Sequence, residues 1–388
     1  MRTAGDEPTT ARPSMLTIAR EWGRIGVLGF GGPPAHIALL RRLCVRDHTW
    51  ISEVEFEDGI AATNLLPGPA STQLAIFCAW RIRGFIGAMV GGLLFIVPGL
   101  VIILGLSVLF LSGHPPDVIK GVAAGAGAAV AAVAVRAAMD LVPASWRRAH
   151  RPRQHARWLG YVLLGGVAVM LTGPYLVLVL AAAGLAETVA RAGATHGRSF
   201  GVPVVAAPAV AGGLGALAWV ALKVGALSFG GGFVIIPLMR ADAVDHYHWM
   251  TNAQFLNAVA LGQITPGPVV QTVAVVGYAA AGIGGGLLAA AIAFAPSFLF
   301  VFVGAPRFDR IRANRDVQAF LDGAGPAAIG AIGGSAVVLA SGLSHLWQIG
   351  VLAPAALWLV VLRRGVVTAL VTAGVLGALA TLVNLPVA

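Results

Sequence analysis

Gly29-Phe30-Gly31-Gly32-Pro33 followed by Pro67-Gly68-Pro69 is written twice in this chain, the second time as Ser228-Phe229-Gly230-Gly231 followed by Pro266-Gly267-Pro268. Phe229 lies 199 residues after Phe30, and Pro266 lies 199 after Pro67. The same spacing relates Trp50 to Trp249, Phe56 to Phe255, Gly26 to Gly225 and Arg41 to Arg240. A register held at Gly, Pro and Trp over roughly forty residues marks an internal duplication.

Around these motifs the chain is strongly apolar. Of 388 residues 58% are hydrophobic and 11% charged, with a mean hydropathy of +0.85. A soluble domain carries about 25% charged residues. Apolar stretches near the ~20 residues that cross a bilayer as a helix recur throughout, and none alternates like a barrel strand. The fold class is therefore an all-α polytopic membrane protein: two helical repeats with broken or re-entrant helices at the Phe-Gly-Gly-Pro and Pro-Gly-Pro motifs. Residues 1–13 read as a disordered tail without a cleavable signal, 14–198 as the first transporter repeat and 199–388 as the second.

The net charge of +10 comes mostly from arginine. These arginines sit in short loops, where the positive-inside rule accounts for them better than nucleic acid does. Matched loops carry opposite bias. Arg81 and Arg83 correspond to an uncharged stretch over 279–286, and the turn at 112–116 corresponds to Arg307, Arg310, Arg312 and Arg315. The Arg147–Arg157 loop corresponds to 341–348, which has no formal charge. Such a swap predicts inverted-topology repeats. Inversion requires an odd number of crossings per repeat. Either the apolar stretch 158–190, interrupted at Gly173-Pro174, does not cross twice, or 201–218 adds a crossing.

Helices broken inside a membrane protein are tolerated where the freed backbone is buried in protein or lines a wet cavity. Half-helices starting after Gly32 or Pro33, Pro69, Gly231 and Pro268 would aim free N–H groups and positive dipole ends at one place, the elements of an anion site. The alternative is a set of kinks for packing. Arg24 and Lys223, again 199 apart, each precede their motif by six residues inside an apolar helix. A charge there faces a cavity or a partner by default, although Arg24 beside Glu21 could also snorkel to the surface. Asn64 and Gln263 before the Pro-Gly-Pro motifs, with Ser71, Thr72, Gln73, Gln271 and Thr272 after them, are neutral groups suited to an oxyanion or to helix packing. His36 has no counterpart at Ile235, and Glu57 and Asp58 belong to an acidic helix start. Arg136 and Asp322 have no evident partner. No nucleotide-binding loop, His-Glu-x-x-His or metal-spaced cysteine pair is present, so no enzyme activity, cofactor or metal is expected.

This motif set, Phe-Gly-Gly-Pro, a Trp-Ile-Ser connector and Leu-Pro-Gly-Pro, repeated as Ser-Phe-Gly-Gly-Gly and Thr-Pro-Gly-Pro, resembles the chromate ion transporter family in its long, two-domain form. The resemblance implies a multi-pass bacterial inner-membrane protein that exports chromate, driven by the proton-motive force, and confers chromate resistance. Carried onto this chain, the implied functional positions are Arg24, Phe30, Gly31, Gly32, Pro33, Trp50, Pro67, Gly68 and Pro69. In the second copy they are Lys223, Phe229, Gly230, Gly231, Trp249, Pro266, Gly267 and Pro268. The second copy has Gly232 where the first has Pro33. The expected partners are chromate or a sulfate-like oxyanion and the lipid bilayer, not nucleic acid; an anion channel is the alternative to a carrier, and a homodimer is compatible with the reading.

Overall fold

The computed structural model describes residues 13–63, 66, 68–111, 116–149, 151–171, 175–192, 213–228, 233, 235–304 and 314–386. The described residues form helices and their connectors, without a strand. Helix α1 (Met15–Leu28) starts at Ser14, whose hydroxyl accepts the Thr17 N–H, and ends where Gly29 and the following glycines break it. Helix α2 (Pro33–Arg41) opens on two prolines and runs into a π-helical turn, Arg42–Asp47. Helix α3 (Glu53–Thr63) leads to the first Pro-Gly-Pro, and α4 (Ala70–Phe110) leaves it. At 14 residues α1 is about 21 Å long and α3 shorter still, too short for a ~30 Å hydrocarbon core.

Helix α4 is bent back on itself. Arg83 and Gly84 leave helical geometry, with Gly84 at φ 61°, ψ −151°. Beyond this turn Gly87 lies against the Ala79 carbonyl and Gly92 against Ile76, so residues 70–82 and 84–110 are antiparallel. The same device recurs in α11 (Thr272–Gly304): Gly282 has φ 64°, ψ −158°, and Gly286 lies against Ala274. That conformation belongs essentially to glycine. Gly84→Ala and Gly282→Ala should each cost about 1–3 kcal/mol, although open space surrounds both positions. A thermal melt in detergent checks this.

Further local structure recurs at the 199-residue spacing. The Ser52–Glu55 capping pair is matched by Thr251–Gln254 at the start of α10 (Asn252–Ile264). Stacked His48 and Trp50 are matched by stacked Tyr247 and Trp249. The π turn Arg42–Asp47 is matched by Ala241–His246, which follows α9 (Ile235–Arg240). Helix α8 (Gly213–Leu227) precedes the second Phe-Gly-Gly motif.

In the first half, ion pairs gather the ends of the half-helices on one face. Arg41 binds Glu53 and Glu57, Arg81 binds Glu55, and the Arg83 guanidinium donates to the Pro13 carbonyl at 2.7 Å. The helices α1–α2 and α3–α4 therefore enter from that face, turn at the glycine-proline breaks and return to it. Residues 84–110 then cross. They pack antiparallel to residues 283–304, with Phe85 against Phe302, Gly92 against Phe298 and Leu104 against Gly286.

The remaining helices enclose this crossing. Helix α5 (Asp117–Trp146) lies antiparallel to α14 (Val366–Leu382), with Gly121 and Gly125 against Gly377. Helices α6 (Pro152–Leu171) and α7 (Leu176–Ala192) are an antiparallel pair joined by Arg157–Glu187. The stretch 158–190 is thus two helices, neither of which is among the helices long and apolar enough to cross a membrane; the other crossing alternative falls largely on 201–212, outside the described residues. Helix α12 (Arg315–Ser341) packs on α6 through Gly165 and Gly330, where only small residues allow such backbone approach. Helix α13 (Leu346–Ala356) completes the set. The segments 70–110, 117–146, 269–304 and 315–341 contain windows long and apolar enough to cross a membrane.

Candidate functional site

Breaks from the two halves meet at the crossing of α4 and α11. The Gly267 N–H, inside the second Pro-Gly-Pro, donates to the Gly29 carbonyl at 3.0 Å. The Gln271 amide, just after that motif, donates to the Ile96 carbonyl of α4 at 2.8 Å. Gly99, one turn further along α4, faces the Pro266 carbonyl. From the other half, Gly68 lies beside the Gly225 carbonyl of α8. Gly68 and Gly267 share a left-handed φ, 118° and 103°, and each has its own glutamine, Gln73 or Gln271, folded beneath it.

His36 is the fastener of the first break. It is fully buried; its Nε2 donates to the Gly29 carbonyl at 2.9 Å, and Nδ1 lies 3.2 Å from the Ser71 hydroxyl. A carbonyl can only accept, so the Nε2 nitrogen carries hydrogen and, in the neutral ring, Nδ1 accepts from Ser71. One imidazole thus joins the Phe-Gly-Gly-Pro break, helix α2 and the start of α4, and Gly29 passes the connection to Gly267. Its ring also meets Phe95 edge-on, with centroids 5.0 Å apart. Losing a buried hydrogen-bonding partner costs about 1–3 kcal/mol. His36→Ala should accordingly lower the detergent melting temperature by several degrees, and His36→Gln should recover part of the loss.

Several buried polar atoms near the breaks have no partner among the described residues: Thr72 Oγ1, Ser228 Oγ, Gln263 Nε2, Gln271 Oε1 and, on α11, Ser297 Oγ. Buried polar groups are nearly always paired, so a concentration of orphans points to a place that receives a polar guest. Backbone donors are available there too. The first N–H groups of α4, at Ala70 and Ser71, precede the first bonded ones, at Thr72 and Gln73; Val269 and Val270 stand likewise before Gln271. The start of α2 offers less than the sequence implies. Pro33 and Pro34 have no N–H, and Ala35 and His36 already bond to the Gly32 carbonyl. Only glycine amides remain at that break.

The two matched cations are unlike. Arg24 does not reach this site: α1 buries Ile18, Trp22, Ile25 and Gly26, while the Arg24 side chain is 68% exposed, with Glu21 4.0 Å away. Lys223 is 13% exposed, and its ammonium lies 2.7 Å from the Asp242 carboxylate, itself 4% exposed. The Trp219 ring lies beneath that ammonium at 5.8 Å. Position 43, the counterpart of Asp242, is Leu. Phe30 is exposed, and Trp50 and Trp249 stack on the connectors, away from the breaks. Asn64, Pro67, Phe229, Gly230 and Gly231 lie outside the described residues. Of the expected set, the structure brings together Gly32, Gly68, Pro266 and Gly267 with their neighbouring helix starts; Pro69, Gln263 and Pro268 flank them.

A second charged cluster ties α6, α7 and α12. Glu187, 3% exposed, accepts from Arg157 and Arg191, and from the Tyr161 hydroxyl. Asp322 binds Arg191 at 2.9 Å and Arg148 at 3.6 Å, partners that the sequence does not assign. Arg136 likewise binds Asp140 and the Leu359 carbonyl. Acids already occupy these arginines, and the cavity beside Glu187, about 10 Å³, has room for about one water.

The family model of the chromate transporter matches residues 16–187 and 215–378. A chromate transport protein of Cupriavidus metallidurans is 34% identical over 348 residues, covering 87% of this chain and 85% of that protein. One from Pseudomonas aeruginosa is 32% identical, covering 87% and 84%. An uncharacterized transporter of Methanocaldococcus jannaschii is 27% identical over 78% of each chain. No solved structure matches.

Proposed function

The chain belongs to the chromate transporter family, and from that premise we propose that it exports chromate through a site where the broken helices of two inverted repeats meet. The Gly29–Gly267 hydrogen bond carries this reading, because it couples a break of one half directly to a break of the other. A tetrahedral dianion held there would take N–H groups at Ala70, Ser71, Val269 and Val270, the Thr72 and Ser228 hydroxyls, and the Lys223 ammonium. Helix starts and neutral donors spread over two bodies suit a ligand that must be bound and then released.

Inversion is supported by the antiparallel run of residues 84–110 and 283–304, the equivalent helices of the two halves. It is supported again by charge. Tracing the helices from end to end puts Arg41, Arg81, Arg147, Arg191 and Arg363 at ends on one face, the bias of a cytoplasmic surface. Rocking one half against the other would then open the breaks to each side in turn. The membrane potential, the electrical part of the proton-motive force, supplies the drive.

Chromate flux into everted vesicles tests the proposal. Uptake against a gradient, abolished by dissipating the proton-motive force, is the expected result. Flux that only equilibrates would favour an anion channel, and sulfate competing at equal concentration would assign a broader oxyanion carrier.

A further inference from the structure

Lys223 is nearly out of solvent, and its ion-pair partner among the described residues is an acid. The Asp242 carboxylate takes the ammonium at 2.7 Å, so a dianion arriving at Lys223 meets a cation already neutralised. Two negative groups cannot share one buried ammonium without strong repulsion. A buried carboxylate freed of its cation is expensive to leave charged. Other charge around Asp242 relieves little of this. Arg240 and Asp245 are paired with one another at 2.9 Å, and Tyr247 is bound through its backbone N–H to the Asp242 carbonyl. His246, in the same turn, is exposed to solvent, and its attraction for the carboxylate is smaller than that of Lys223. The faces of α8 and α12 near this turn contribute Lys223 alone among titratable groups, the α12 residues beside Arg240 being Ser335, Val338 and Leu339.

We propose that Asp242 is the proton carrier of this transporter and that oxyanion and proton bind the Lys223–Asp242 pair together. Lys223 turns to the oxyanion as the Asp242 carboxylate takes one proton from the adjoining water and becomes neutral. The empty pair is neutral, and the pair loaded with a dianion and one proton carries a net charge of minus one. An inside-negative potential therefore drives the loaded form outward, against the pull of an inward proton gradient. The first half cannot do this, since Leu43 and exposed Arg24 stand in the matching places. The proton-linked ion pair therefore belongs to the second half.

This inference rests on the oxyanion reading above, and the test separates the two. Purified full-length protein in weakly buffered detergent solution is titrated with chromate above neutral pH, and the protein-free proton uptake is subtracted. One proton should be taken up per chromate bound, and the dissociation constant should rise about tenfold per pH unit while Asp242 is charged in the free protein. Asp242→Asn, which imitates the protonated acid, should bind chromate without proton uptake and with a pH-independent constant. Chromate binding to the wild type without proton uptake, or uptake undiminished in Asp242→Asn, would overturn the proposal; should that variant not accumulate, the wild-type proton count decides alone. Absence of chromate binding would instead overturn the transport site itself.

Discussion

Gly99→Val should abolish chromate flux and sharply reduce the folded protein recovered from membranes. A Cβ at Gly99 would overlap the Pro266 carbonyl and crowd the Gln271 amide, and the neighbouring Ile96 carbonyl is bound to that same amide. The closest contact is backbone on both sides, so neither can turn away as a side chain could. Overpacking ordinarily costs about 1–3 kcal/mol; here the displacement also pulls Gly267 from Gly29, the bond linking the halves. Gly105→Val is the control. It lies on the same helix with nothing near its Cβ, and it should leave both melting temperature and flux close to wild type. Equal losses in both variants would show that the α4 backbone tolerates no branching and that the contact at Gly99 has no particular weight.

Lys223→Gln should lower chromate flux by at least about a hundredfold, whereas Arg24→Gln should leave it nearly unchanged. Breaking a buried pair by removing one partner destabilises by about 3–5 kcal/mol, so the single variant also loses protein. The double variant Lys223→Gln/Asp242→Asn separates the two effects. Removing both charges should restore accumulation in the membrane, yet flux should remain lost because the ammonium is gone. Restored flux in the double variant would make the pair structural. A loss in Arg24→Gln as deep as in Lys223→Gln would mean that the exposed guanidinium enters the site during the cycle.

The breaks are legible in the sequence because glycine and proline act through the backbone, and their doubled spacing excludes accident. The direction of the helices beyond them is harder to read. Arg83-Gly84 contains no proline, and the apolar run continues across it; the basic residues mark a boundary there but not a reversal. The matched spacing of Arg24 and Lys223 gives them similar surroundings along their helices: Trp22 and Ala221, like Gly26 and Gly225, are buried. Spacing is silent on which neighbour covers that position. Asp242 covers Lys223, reaching it from beyond a break, and Leu43 offers Arg24 nothing. His36 carries little signal because Ile235 does not repeat it, yet its role is asymmetric: it locks one Gly29 carbonyl whose position only the fold reveals. The pairing of Asp322 with Arg191 and Arg148 similarly joins elements separated by more than a hundred residues.

An oxyanion is expected to sit between the breaks of the two halves. A crystal structure of the protein soaked with selenate, located by its anomalous scattering, tests it most directly. A selenium peak is expected at the α4–α11 crossing, within hydrogen-bond reach of the Ala70–Ser71 and Val269–Val270 amides and the Lys223 ammonium. A peak confined to the Arg148–Arg191 cluster, with the crossing empty at saturating selenate, would contradict it.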